Sequence, residues 1–205
     1  MSRKEEIILV TLELAAENGL SSVSMAQIAE KIGIQKPSLY NHFKSKEEII
    51  TAMYQYLRDK SKERLSLKDI DYGELVKGRS MEEVLKQSVS NYNDISTENK
   101  MFCFYKVIYS ERTINPTAAK IMAEETRRMI LATKNLFYAL QAHKKIYVDD
   151  IDMAAVSFAM TVHAIMDYQL DCSYSGENLS QDIMQSYIKW FCSQYEGKNN
   201  EKNID

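Results

Sequence analysis

Residues 31–46, KIGIQKPSLYNHFKSK, contain Lys31, Lys36, Lys44 and Lys46 and no aspartate or glutamate. Between the lysines lie Gln35, Ser38, Tyr40, Asn41 and His42. Ammonium groups neutralise phosphates, and short or planar side chains of this kind exchange hydrogen bonds with base edges and backbone oxygens. The stretch therefore has the chemistry of polyanion recognition rather than of bond making. A lysine-rich turn is also an ordinary solvated surface, so the elements that carry it must decide between the two.

Those elements are legible in MAQIAEKIGIQKPSLYNHF, residues 25–43. A short helix over 25–32 carries Ile28, Ala29 and Ile32 inward, and the small Ala29 permits a close helix crossing. Gly33 can take the positive φ of a tight turn, and Ile34 plugs the core. Pro37 opens a second helix, about 36–43, whose Leu39 and Phe43 are spaced i and i+4 and face back inward. The arrangement is a helix-turn-helix with the second helix outermost. That helix is roughly 10 Å long at 1.5 Å per residue, short enough to lie in a major groove. Its outward face would present Gln35, Lys36, Ser38, Tyr40, Asn41 and His42.

The rest of the chain reads as helix. Of 205 residues only two are proline and six glycine, while strong helix formers abound. Capping boxes occur at Ser24 with Gln27, Ser45 with Glu48 and Ser80 with Glu83, and Asn115-Pro116 reads as a helix start. These marks predict an all-α fold of about nine helices: 2–18, 25–32, 36–43, 46–65, 80–94, 97–111, 116–142, 149–173 and 178–195. The polar stretch 66–79, with Gly73 and Gly78, reads as a loop, and the tail EGKNNEKNID as disordered. The amino terminus has no apolar secretory core, and the most apolar run, 153–166, is shorter than the roughly 20 residues that span a bilayer. Together with three widely separated cysteines (Cys103, Cys172, Cys192), this predicts a cytoplasmic protein with reduced thiols and no membrane partner, although a disulfide pair stays open. The net charge of −3 does not oppose DNA binding, because screening over about 10 Å at 0.1 M salt leaves the local face in control. Catalytic signatures such as GxGxxG, a Walker loop, GxSxG or HExxH are absent, and the three histidines and three cysteines lack metal-ligand spacing. No enzyme activity, metal or cofactor is expected.

The opening helix ending AAENG, the segment SVSMAQIAEKIGI and the block KPSLYNHFKSKEEII together resemble the DNA-binding domain of the TetR/AcrR transcriptional regulators. The resemblance covers residues 2–60. It implies a helix-turn-helix domain over 1–48 with a connecting helix at about 46–65. An effector-binding and dimerisation domain over 49–196 and a tail over 197–205 would follow. It also implies a homodimeric regulator, usually a repressor, that reads a palindromic double-stranded DNA operator until a small-molecule effector binds. Carried onto this chain, Ser24, Gln35, Lys36, Pro37, Ser38, Tyr40, Asn41, His42 and Lys46 would meet bases or phosphates. Gln35 stands where the family favours Ser or Thr, so it would cap poorly and be free to reach a base.

In the C-terminal part, Ala155, Ala159 and Val162 on one long helix and Tyr187, Trp190 and Phe191 on the next are candidates for a dimer interface, or else for the core of one chain. An effector cavity between the middle helices would be lined by Tyr92, Phe104, Tyr105, Tyr109, Met129, Phe137 and His163, although aromatic and methionine side chains at helical spacing also serve as plain core. His163 and Asp167 can pair on one helix face. From Asp149 to Asp182 there are seven acids and no Lys or Arg, which suits either a cationic effector or solvated edges and N-caps. A rival function is a helical binding module of the same fold, such as a co-activator, that does not read DNA.

Overall fold

The structure is a computed structural model and describes residues 1–64, 70–97, 99–177 and 182–196. Among them are ten α-helices, one 3-10 turn and no strand. The helices are α1 (Arg3–Asn18), α2 (Met25–Ile32), α3 (Lys36–His42), α4 (Lys46–Arg64), α5 (Tyr72–Val76), α6 (Met81–Thr97), α7 (Asn99–Glu111), α8 (Pro116–Ala142), α9 (Ile151–Ser175) and α10 (Ile183–Tyr195), with the 3-10 turn at Leu20–Ser22. The all-α expectation holds. One correction concerns the expected loop, which contains α5: Asp71 caps it by accepting from the Glu74 amide at 3.0 Å. Two of its five residues are aromatic or β-branched and one is glycine, so propensity alone does not reveal it. The expected tail 197–205, residue 65 of the expected helix 46–65, residues 66–69 of the expected loop and residues 178–181 of the expected last helix lie outside the described residues.

By packing, the chain divides into two compact units, Met1–Ser66 with Asn93–Thr126 and Leu67–Tyr92 with Arg127–Asp205. The first unit is built on α1. Its Ile7, Leu12 and Ala15 are buried together with Ile28 of α2, Leu39 of α3, Ile49 and Met53 of α4, and Phe104 and Ile108 of α7. Thr11, wholly buried in this apolar setting, satisfies its hydroxyl by donating to the Ile7 carbonyl at 2.7 Å. The second unit has its own core, in which Phe137, Phe158 and Phe191 form a tilted and edge-on aromatic cluster with centroids 4.9–5.7 Å apart.

The turn between α2 and α3 is fixed by backbone geometry. Gly33 adopts φ 76°, ψ 32°, its amide donates to Ala29 and Glu30 carbonyls, and the Ile34 amide donates to Ala29 O at 3.0 Å. This is a Schellman-type stop that requires a left-handed residue. A Cβ on Gly33 would meet nothing within 4 Å, so Gly33→Ala should cost backbone strain alone, about 1–2 kcal/mol. Leu39→Ala, which opens a cavity in the core, should cost about 2–5 kcal/mol. Urea unfolding checks both. A Leu39→Ala chain as stable as its parent would mean that α3 is seated by something else.

Candidate nucleic-acid interface

The face of α3 is set by which of its residues are buried. Leu39 has no exposed surface and Phe43, just past the helix end, is 3% exposed. With these two pinned, Gln35, Lys36, Pro37, Ser38 and Asn41 are exposed, Tyr40 is 37% exposed, and His42 is half-buried at the helix end. Gln35 is the N-cap residue and makes no side-chain cap bond, so its amide is held by no local contact of that kind. Its carbonyl starts the helix by accepting from the Ser38 amide at 2.9 Å. No acid lies in the first turn of α3.

Two of the expected DNA contacts carry internal bonds. The Ser24 hydroxyl donates to Gln27 Oε1 at 2.7 Å and accepts from the Gln27 amide at 3.3 Å, and the Ser24 amide donates to Gln27 Oε1 at 2.9 Å. Ser24 is thus fully engaged in capping α2. The Lys46 ammonium donates to the Ser21 carbonyl at 3.0 Å, fastening the start of α4 to the 3-10 turn behind α1. It still has two free hydrogens by its chemistry. Lys44 donates to the Tyr40 carbonyl at 3.1 Å, which places a cation at the end of α3, where the helix dipole favours one. The Lys4 ammonium lies 5.5 Å from the centre of the Phe43 ring. The anchors were legible from spacing; the Lys46–Ser21 bond was not, because its partners are 25 residues apart.

The expected effector residues divide between the units. Phe104, Tyr105 and Tyr109 belong to the first; Tyr92, Met129, Phe137 and His163 belong to the second. Phe104 and Phe137 have no exposed surface, so each fills the core of its own unit, while the others are partly buried. His163 Nδ1 lies 3.5 Å from Asp167. An open cavity of about 310 Å³ in the second unit is lined by none of these residues but by Arg79, Met81, Lys144, Lys145, Tyr147 and Glu196 among others. Two of its charged groups are tied down: Lys145 donates to the Val76 and Arg79 carbonyls, and Glu196 accepts from the Met81 amide. Three of the seven acids of the 149–182 stretch are likewise used locally. Asp150 and Asp182 are N-caps of α9 and α10, and Asp152 meets Lys134 and the Tyr138 hydroxyl, both at 3.1 Å. Those bonds hold the Asp152 carboxyl below its usual range.

Of the six expected dimer residues, four take the alternative place, in the core of one chain. Ala155, Ala159, Val162 and Phe191 are buried within the unit itself and have no surface left for a partner. Tyr187 is half-buried and stacks on Phe158 with centroids 5.6 Å apart. Trp190 alone of the six is well exposed, at 55%. The apolar surface of α9 lies instead at Met153, Met160, Ala164 and Tyr168. The signal was present, since 153, 160, 164 and 168 follow heptad-like steps of seven, four and four, yet the inward stripe of the same helix has a similar period.

Among the described residues no helix is long and apolar enough to cross a membrane, no group of three or more metal-ligating side chains gathers, and the three cysteines are unbridged. Residues 7–53 match the family model for bacterial regulatory proteins of the tetR family, and residues 83–196 match the AefR-like transcriptional repressor C-terminal domain. YerO, an HTH-type transcriptional regulator of Bacillus subtilis, is 24% identical over 187 residues, 89% of this chain and 62% of its own length. The class C tetracycline repressor protein of Escherichia coli is 35% identical over 51 residues, 25% of this chain and 23% of its own. The chain thus spans less than two thirds of these relatives. Among solved structures, a TetR-family transcriptional regulator from Mesorhizobium loti aligns with TM-score 0.68 and 20% identity over 96% of this chain and 100% of that one. A transcriptional regulator from Saccharomonospora viridis in complex with choline aligns with TM-score 0.69 and 18% identity, over 95% of this chain and 98% of that one. With the second family model spanning more than half of the chain and the first covering its helix-turn-helix, the protein belongs to the TetR family of bacterial transcriptional regulators.

Proposed function

We propose that the protein is a cytoplasmic, homodimeric DNA-binding repressor that leaves a palindromic operator when a small-molecule effector binds. The carrying observation is the α3 face. Leu39 is wholly buried beneath it while Gln35, Lys36, Ser38, Tyr40 and Asn41 stand exposed, in a segment that holds four lysines and no acid. Residues 1–48 would form the reading domain and 49–196 the effector and dimer domain. In this reading Gln35, Lys36, Pro37, Ser38, Tyr40 and Asn41 approach the bases and neighbouring backbone, and His42 and Lys46 meet phosphates, Lys46 through the hydrogens that Ser21 leaves free. Ser24 contributes by holding α2 rather than by a contact of its own. A protein acting this way performs no catalysis.

One short helix with a small basic patch binds weakly, so two copies about 34 Å apart are needed to reach useful affinity. The exposed Met153, Met160, Ala164 and Tyr168 of α9, with Trp190 of α10, supply an apolar surface suited to a second copy. Effector release is a population shift: a ligand that prefers one packing of the helices around α4 moves the paired readers off half-site spacing, and only by the amount of that preference.

Lys36→Ala should weaken binding to the protein's own upstream DNA and lower the slope of log affinity against log salt by about one unit. A gel-shift series at several salt concentrations measures it. If neither Lys36→Ala nor Tyr40→Ala alters the shift, the assigned contacts are wrong and a module that does not read DNA becomes the better account. Met160→Glu, at a position 46% exposed, should leave the helical circular dichroism unchanged and convert the dimer to monomer in sedimentation at micromolar protein. A parent chain that sediments only as monomer would remove the two-half-site mechanism.

A further inference from the structure

Buried polar atoms in the first unit mostly have partners. The Tyr56 hydroxyl of α4 donates to Glu5 at 2.9 Å, and a terminal nitrogen of Arg58 donates to Glu124 of α8 at 3.0 Å. Two donors on α4 do not. The Tyr54 hydroxyl and Arg58 Nε are shielded from solvent, and neither meets an acceptor among the described residues. They lie four residues apart, on one face of one helix. Tyr54 is 3% exposed and sits in the same apolar cluster as Phe104, Ile108, Ile121 and Met122. Buried donors almost always find an acceptor. Two on successive turns of one helix mark a place where an acceptor from outside the chain would be welcome.

The surrounding charges select the kind of acceptor. The charge of Arg58 is already matched by Glu124. The Tyr54 phenol is kept protonated, its pKa pushed up to about 12, first by burial and then by the nearby Glu111 of α7. An added anion would meet the Glu111 and Glu124 carboxylates, with the one guanidinium already matched by Glu124. A cation would face that guanidinium and two donor hydrogens. An uncharged oxygen on an apolar body meets neither objection.

We infer that α4, α7 and the first part of α8 form a binding site for an uncharged, carbonyl-bearing small molecule, such as a ketone, amide or ester, whose oxygen accepts from Tyr54 and Arg58 Nε. This rests on the effector-responsive function proposed above and names the chemical class of the effector. The phenol and the guanidinium are binding groups, and no covalent step is involved.

The test is NMR on the full chain labelled at tyrosine rings and arginine Nε, with the Tyr54 signal identified from a Tyr54→Phe variant. The probes are acetophenone, benzoate, benzylammonium and ethylbenzene, of similar size and different polarity. Acetophenone should move the Tyr54 and Arg58 Nε–H signals and bind at least about thirtyfold more tightly than ethylbenzene, the worth of one neutral and one charge-assisted hydrogen bond. Tyr54→Phe keeps the ring in the core and should cut that advantage about three- to tenfold, the worth of one neutral hydrogen bond, while leaving ethylbenzene unchanged; Tyr56→Phe should leave acetophenone binding intact. The proposal is overturned if benzoate or benzylammonium binds better at Tyr54, if no probe moves its signal, or if Tyr54→Phe binds acetophenone undiminished. It is also overturned if a crystal soaked with acetophenone shows only an ordered water between the two donors. A gel shift run alongside separates the two claims. Acetophenone that occupies Tyr54 without changing operator binding upholds the site and sinks its effector role. A chain that binds no operator even without probe sinks the DNA-binding function and leaves the NMR result standing.

Discussion

A helix of seven residues has no stability of its own in water, because its few internal bonds do not offset the cost of nucleation. Everything proposed for α3 therefore depends on the burial of Leu39 and Phe43 in the cluster built on Ile7, Leu12 and Ile28. Two side chains suffice because they are spaced four apart and define one face. Burying each contributes about 1.5–3 kcal/mol before entropy is counted. The polar residues then have no freedom in where they point: with 39 and 43 turned inward, 36, 37, 40 and 41 are turned outward. Recognition chemistry at this site follows from an apolar constraint.

This explains why the reader was legible in the sequence and the remainder was less so. Residues 25–43 contain every signal the local fold needs: the Ser24–Gln27 capping box, Gly33 at the one left-handed position, Pro37 near the start of α3 and the two inward anchors. Each acts within a few residues of itself. The long helices of the second unit differ. On α9, Ala155, Ala159 and Val162 form one apolar stripe, and Met153, Met160, Ala164 and Tyr168 form another. Both have helical periods, and which one the core takes is decided by α8 and α10 packing against the helix. Ala155 and Val162 share one buried cluster with Phe137, Phe158 and Phe191. Phe104 and Phe137 were ambiguous for the same reason, since a fully buried aromatic and a pocket-lining one have the same spacing. Helix α5 is not legible in the sequence because its one decisive signal, the Asp71 cap, stands close to a glycine in a polar stretch.

Helix α4 joins the reader's support to the site inferred above. Its first residue holds the 3-10 turn behind α1 through Lys46 and Ser21, its middle reaches α1 through Tyr56 and Glu5, and its far part reaches α8 through Arg58 and Glu124. None of these contacts is deeply buried. The Arg58 and Glu124 side chains are 31% and 22% exposed, so their attraction is worth on the order of 1 kcal/mol. One neutral hydrogen bond from a bound ligand is worth a similar amount. The two terms are therefore balanced closely enough for a modest ligand to matter. A tenfold preference for one arrangement of α4, about 1.4 kcal/mol, shifts an evenly poised equilibrium to roughly ten to one. A deeply buried ion pair at the same place, costing several kcal/mol to break, would have locked the helix against any effector of ordinary affinity. On the proposed function, the partial exposure of that pair is what would let α4 respond.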